Sequence, residues 1–118
     1  MSAVLPLTKM QTIVYIFKMK TILTTTQFDD WLTRLRDKQG KARINARIRR
    51  LALGNPGDIK SVGGEVSELR IHAGPGYRVY LTVRGFEVII LLVGGDKSTQ
   101  SKDIAAAQAL AKKYQEAP

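Results

Sequence analysis

From Met19 onward the spacing of apolar residues switches between two periods, and the switches mark the elements. KTILTT, from Lys20 to Thr25, carries the β-branched residues of a short strand, and Thr26 then precedes Phe28, Trp31, Leu32 and Leu35 at helical intervals. Thr26 with Asp29 three residues on has the form of a capping box in which Asp replaces the usual Glu. After Gly40, the spacing of Ile44, Ile48 and Leu51 predicts a second helix that Gly54 and Pro56 stop, so the two helices form an α-hairpin. Beyond GNPGD come three strand-forming runs, Val66 to His72, Tyr77 to Arg84 and Phe86 to Val93, separated by AGPG and by Gly85. The third, FEVIILLV, is apolar without alternation, which predicts a central strand covered on both faces. Gly94-Gly95 ends this meander, and Ser98, Thr99 and Ser101 offer N-caps for a last helix through DIAAAQALAKKY. The predicted order is β-α-α-β-β-β-α, an α+β fold with a small, mainly antiparallel sheet packed against helices.

The first two meander strands do alternate. Leu69 and Ile71 point one way and Glu68, Arg70 and His72 the other, while Tyr77, Val79, Leu81 and Val83 oppose Arg78, Tyr80 and Thr82. Setting Arg70 opposite Arg78 closes the hairpin through a loop of about three residues, Ala73 to Pro75, and places every apolar residue of both strands on one side. A slip of one residue would put the Arg78 charge on the core face, where it is expensive. Like charges directly opposite cost only about 0.2–1 kcal/mol, so burial selects the register that pairs the arginines. One sheet face is then expected to pack on helices and the other to display Arg70, Arg78, His72, Glu68 and Tyr80.

Charge sharpens this picture. The 118 residues hold 19 Lys+Arg against 10 Asp+Glu, for a formal net charge of +9 and a pI of about 10.1, which points to polyanionic partners, nucleic acid first and an acidic protein second. Cysteine is absent and His72 is the one histidine, which excludes disulfides and thiolate metal sites and leaves chemistry to Arg, Lys, Tyr, Asp, Glu and that imidazole. No metal and no cofactor are expected. The patterned part, residues 19–118, reads as one domain. Residues 1–18 read as an N-terminal extension, either an extra strand at Thr12 to Phe17 or surplus chain ahead of an internal start at Met10 or Met19. Pro6, Lys9 and Lys18 break that stretch, so no membrane span is expected and a cytoplasmic location is favoured.

Two further stretches can carry chemistry. GGDKST, Gly94 to Thr99, follows a buried strand and enters a helix, so its amides and Lys97 are a candidate anion site. It is not a P-loop, because the G-x-x-x-x-G-K-[ST] spacing is missing and the strands form a meander. Arg43, Arg47 and Arg50 stripe one helix face, with Lys60 beyond the loop. The plain reading is a solvated face; the functional one is a track of RNA contacts. His72 and Tyr80 are candidates for proton transfer.

The segments FDDWLTRLRD, ARINARIRRLALGNPGDIKSVGGEVSELRIHAGPGYRVYL and LLVGGDKSTQSKDIAAAQALA resemble the RelE/ParE superfamily of type II toxin–antitoxin toxins. The likeness is strongest to its HigB-like branch of addiction-module killer proteins, and it runs from Met19 to Tyr114 in the same order. The resemblance implies a toxin that cleaves mRNA on the translating ribosome without metal or cofactor and so inhibits translation. It also implies a cognate helix-turn-helix antitoxin through which alone operator DNA is met. Carried over by position, the family's basic residues fall on Arg70, Arg78 and Lys97. RelE-type members carry a tyrosine after the basic segment, whereas DKSTQ has none, leaving Tyr80, His72 or the ribosome to move the proton. ParE-like members act on DNA gyrase instead, and a non-catalytic nucleic-acid-binding relative is a third reading.

Overall fold

The computed structural model describes residues 19–116; the stretch 1–18, with the expected strand at Thr12 to Phe17 and the start at Met10, lies outside the described residues. The chain runs β1 (Thr21–Thr24), α1 (Thr26–Arg34), α2 (Lys38–Ala52), β2 (Ile59–Gly63), β3 (Val66–Ile71), β4 (Tyr77–Arg84), β5 (Val88–Asp96), a 3-10 turn (Lys97–Thr99) and α3 (Gln100–Glu116). The strands form one five-stranded sheet in the order β1-β5-β4-β3-β2, with β1 parallel to β5 and every other pair antiparallel. The α+β class, the mainly antiparallel sheet and the interior position of β5 are those expected.

Several details depart from expectation for local reasons. Thr25, not Thr26, caps α1: its hydroxyl accepts from Phe28 N at 3.0 Å and donates to Leu92 O at 2.6 Å, tying the helix start to β5. Helix α2 starts before Gly40 because the Asp37 carboxylate caps Gly40 N at 3.0 Å. Strand β2 was not expected; its residues are largely exposed and it closes the sheet edge by pairing Ile59 with Leu69 and Lys60 with Glu68. Phe86 belongs to the β4–β5 turn rather than to a strand and is 89% exposed. Gly94 and Gly95 lie within β5, opposite Val79 and Arg78, instead of ending it.

The largest departure is a second covered face. Helices α1 and α2 bury Phe28, Ile44, Leu69, Ile71, Val79, Leu81 and Leu91 on one side of the sheet. On the other, Ala107 and Ala111 of α3 pack against Val66, Tyr80, Ile90 and Leu92. The face expected to be open and polar is therefore roofed by α3 over its middle.

Candidate functional site

The register selected by burial is the observed one: Arg70 sits opposite Arg78 and Glu68 opposite Tyr80. Because residues two apart on a strand share a face, the Glu68 carboxylate lies between and beneath the two guanidiniums. Its Oε1 accepts from Arg70 Nε at 3.0 Å and lies 3.9 Å from Arg78 Nε, while Oε2 accepts from the Tyr80 hydroxyl at 3.0 Å and from Gln100 Nε2 at 2.6 Å. Burial raises the Glu68 pKa, but the hydrogen bonds from Gln100, Arg70 and Tyr80 and the charge of Arg78 outweigh it, leaving the carboxyl below its ordinary range. Tyr80 is fully buried, and burial together with Glu68 holds its hydroxyl well above the usual tyrosine value. Arg78 is 7% exposed; its Nη1 donates to the carbonyls of Gly76 and Tyr77, both at 3.1 Å, and its buried Nε has no hydrogen-bond partner.

Lys97 reaches the same place from the other side. Its chain lies across Gly76, where an added Cβ would stand 2.7 Å from Lys97 Cδ and 3.4 Å from Arg78 Nη1, so a side chain at position 76 would push the two cations away from the loop. Gly76 also has φ +82, which L-residues rarely adopt. The expected amide cradle in GGDKST is filled from within, since Asp96 accepts from Ser98 N at 2.8 Å and caps the turn. The segment therefore contributes the exposed Lys97 ammonium. His72, residues 73–76, Arg78 and Lys97 line one open cleft of about 450 Å³.

His72 also borders a second cleft of about 300 Å³ lined by Arg43, Ala46, Arg47, Arg50 and Ile71, so the imidazole stands where two basic hollows meet. Its Nε2 lies 2.6 Å from Asp58 Oδ2. The helix stripe divides by role. Arg43 and Arg50 are exposed, whereas Arg47 donates to the carbonyls of Arg70, Pro56 and Asp58 and ties α2 to the chain around β2 and β3. Burial is the first cause lowering the Arg47 pKa, with Arg50 adding to it. Lys60 is exposed on β2, registered opposite Glu68. Among the described residues, no group of three or more His, Cys, Asp or Glu side chains is placed to hold a metal, and no helix is long and apolar enough to cross a membrane.

The hairpin is anchored from beneath by Tyr77, whose hydroxyl donates to Asp37 Oδ2 at 2.8 Å. Burial, then Asp37, pushes the Tyr77 pKa up to about 12. A tyrosine raised from about 10 in the unfolded chain favours folding in its protonated form. That contribution is complete below pH 10 and disappears as pH climbs through 12. The thermal midpoint of the wild type should therefore fall between those limits while tyrosinate absorbance rises, and Tyr77→Phe should make the fall shallower.

Glu68 as the centre of the cluster, Gln100 and Asp58 are the participants that pattern reading did not single out. The one available signal was the E-x-R spacing of Glu68 and Arg70. All three lie within residues 30–115 of this chain, over which it matches the family described as "Phage derived protein Gp49-like (DUF891)". It is also 58% identical over 90 residues to an uncharacterised protein of Haemophilus influenzae, across 76% of this chain and 91% of the relative.

Proposed function

The chain belongs to the phage-derived Gp49-like family, a family of toxin–antitoxin addiction-module toxins related to the RelE-like ones, and we propose that it cleaves mRNA on the translating ribosome. Family membership brings an antitoxin as partner; in this reading it is a helix-turn-helix protein that silences the toxin. One observation carries the reading. A single cleft joins His72, Arg78 and Lys97, His72 also borders a second cleft rimmed by Arg43 and Arg50, and the partly exposed Arg70, which lines neither, is registered opposite Arg78.

In that cleft the ribose 2′-hydroxyl attacks the adjacent phosphorus. The new P–O bond forms as the bond to the 5′-oxygen of the next nucleotide breaks, giving a 2′,3′-cyclic phosphate and a 5′-hydroxyl. Negative charge grows on the non-bridging oxygens, where Arg70, Arg78 and Lys97 stabilise it with donors already in place. With His72 Nε2 donating to Asp58, Nδ1 is left to take the proton from the 2′-oxygen, and the protonated ring returns one to the departing 5′-oxygen. Tyr80 lies beneath the cleft with its hydroxyl on Glu68, so it acts through that carboxylate rather than on the reacting atoms. Arg43, Arg50 and Lys60 hold flanking phosphates through a salt-sensitive attraction.

The test is cleavage of a defined mRNA in a reconstituted translation system, with fragment ends mapped. Cuts confined to translated message, suppressed by the antitoxin, are expected. Intact mRNA together with inhibited DNA supercoiling would move the assignment to gyrase, and no growth inhibition by a folded product would move it to a non-catalytic relative.

A further inference from the structure

Two arginines directly opposite each other on an antiparallel pair repel, so their pairing alone does not aim them at a common point. What lies beneath them is a carboxylate with 0% exposure, reached by donors from three elements: Arg70 on β3, Tyr80 on β4 and Gln100 at the first residue of α3. Arg78 Nε faces the same carboxylate at 3.9 Å without another partner. Glu68, on β3, thus contacts β4 through Tyr80 and the helix that follows Lys97 through Gln100. By using Arg70 Nε and leaving that side chain 30% exposed, it keeps the terminal nitrogens of Arg70 without a protein acceptor among the described residues.

We infer that Glu68 is a positioning residue whose buried carboxylate sets the Arg70 and Arg78 guanidiniums side by side, so that both act on one phosphate group. The inference rests on the endoribonuclease reading for its substrate and on the hydrogen-bond geometry for its mechanism. Glu68 does not touch the reacting atoms. With one oxygen engaged by Arg70 and the other by Tyr80 and Gln100, and with α3 above it, it has no path to substrate, which separates it from an acid–base role. Its charge also sets how much positive potential reaches the cleft. Removing it leaves two uncompensated guanidiniums in contact range, and they move apart.

Glu68→Gln preserves size while turning an amide donor toward one of the donors that Glu68 now accepts. In the cleavage assay the saturating rate should fall by about 10²-fold, the scale of an ångström of misplacement, while the ribosome concentration at half-saturation changes little. Glu68→Asp should recover part of that rate. The Nε–Hε resonances of Arg70 and Arg78 should shift in Glu68→Gln, a readout that a role confined to stability would leave in place. Should that variant fail to fold, Gln100→Leu and Tyr80→Phe remove donors from the carboxylate and should each lower the rate with unchanged half-saturation. Wild-type cleavage rates in a folded Glu68→Gln protein, or unmoved arginine resonances, would overturn the inference. If the wild type itself does not cleave translated mRNA, the endoribonuclease reading fails. The arginine resonances then decide the positioning role alone.

Discussion

Arg78→Ala should lower translation-coupled cleavage by about 10²–10³-fold while leaving a folded protein, the loss found when one pre-aimed donor is taken from a developing oxyanion. The side chain is nearly buried, yet its removal is mild for the fold. It makes two hydrogen bonds to neighbouring carbonyls, carries an unpartnered Nε and faces a like charge across the strand pair, and Glu68 keeps Arg70, Tyr80 and Gln100 when it goes. Arg78→Lys keeps the charge but not the planar fork, so it should restore only a small part of the rate. The exposed Arg43 is the contrasting case. Arg43→Ala should leave the saturating rate near wild type, weaken RNA binding and reduce the salt dependence of that binding by about one unit of slope. Equal cleavage by wild type and a folded Arg78→Ala protein would sink the proposed chemistry.

The pairing of these arginines was legible because the period of a strand is two: a one-residue slip would take Leu69 and Ile71 off the side they share with Val79 and Leu81, the short loop limits longer slips, and the unslipped register is observed. What surrounds the arginines was not legible. Tyr80 and Glu68 alternate with core residues and so look solvent-facing, but α3 covers them through Ala107 and Ala111, small residues that allow close approach without announcing an apolar stripe. A hydroxyl and a carboxylate whose positions in the strand pattern face outward become a buried pair once that helix docks. Strand β2 was missed for a related reason. An edge strand with one well-packed neighbour needs little apolar character, and Lys60, Ser61 and Gly63 are all exposed. The cap at Asp96 was hidden because Ser98, Thr99 and Ser101 all have N-cap side chains, whereas it is the residue before them, Asp96, that accepts from Ser98 N.

The glycines of GGDKST invite an anion-binding reading, but Gly94 answers to packing, and Gly94→Ala should be among the most damaging single substitutions in the chain. An added Cβ would lie 2.1 Å from Trp31 Cε3 and 2.4 Å from Cζ3. Trp31 cannot swing aside freely, because its ring is also packed on Phe28, with centroids 5.9 Å apart, and edge-on to Tyr77 at 6.2 Å. Overpacking of this kind costs about 3 kcal/mol, which in a domain near 100 residues lowers the melting midpoint by about 12–24 °C. Backbone conformation is not the cause. Gly94 is paired with Val79 in β5 and is not among the glycines at positive φ, so in open space alanine there would stabilise the strand by about 0.5–1 kcal/mol. The sign therefore depends on the indole. In a Trp31→Ala background Gly94→Ala should be neutral or stabilising, a coupling of about 3 kcal/mol between the two positions in a double-mutant cycle read by denaturant unfolding. A Gly94→Ala protein as stable as wild type with Trp31 in place would remove the packing explanation and return the glycine to the anion-binding reading. If the coupling is found, the damage also reaches the site, because Trp31 supports Tyr77 and the strand pair Gly94–Val79 lies next to Gly95–Arg78, the register that holds Arg78 beside Lys97.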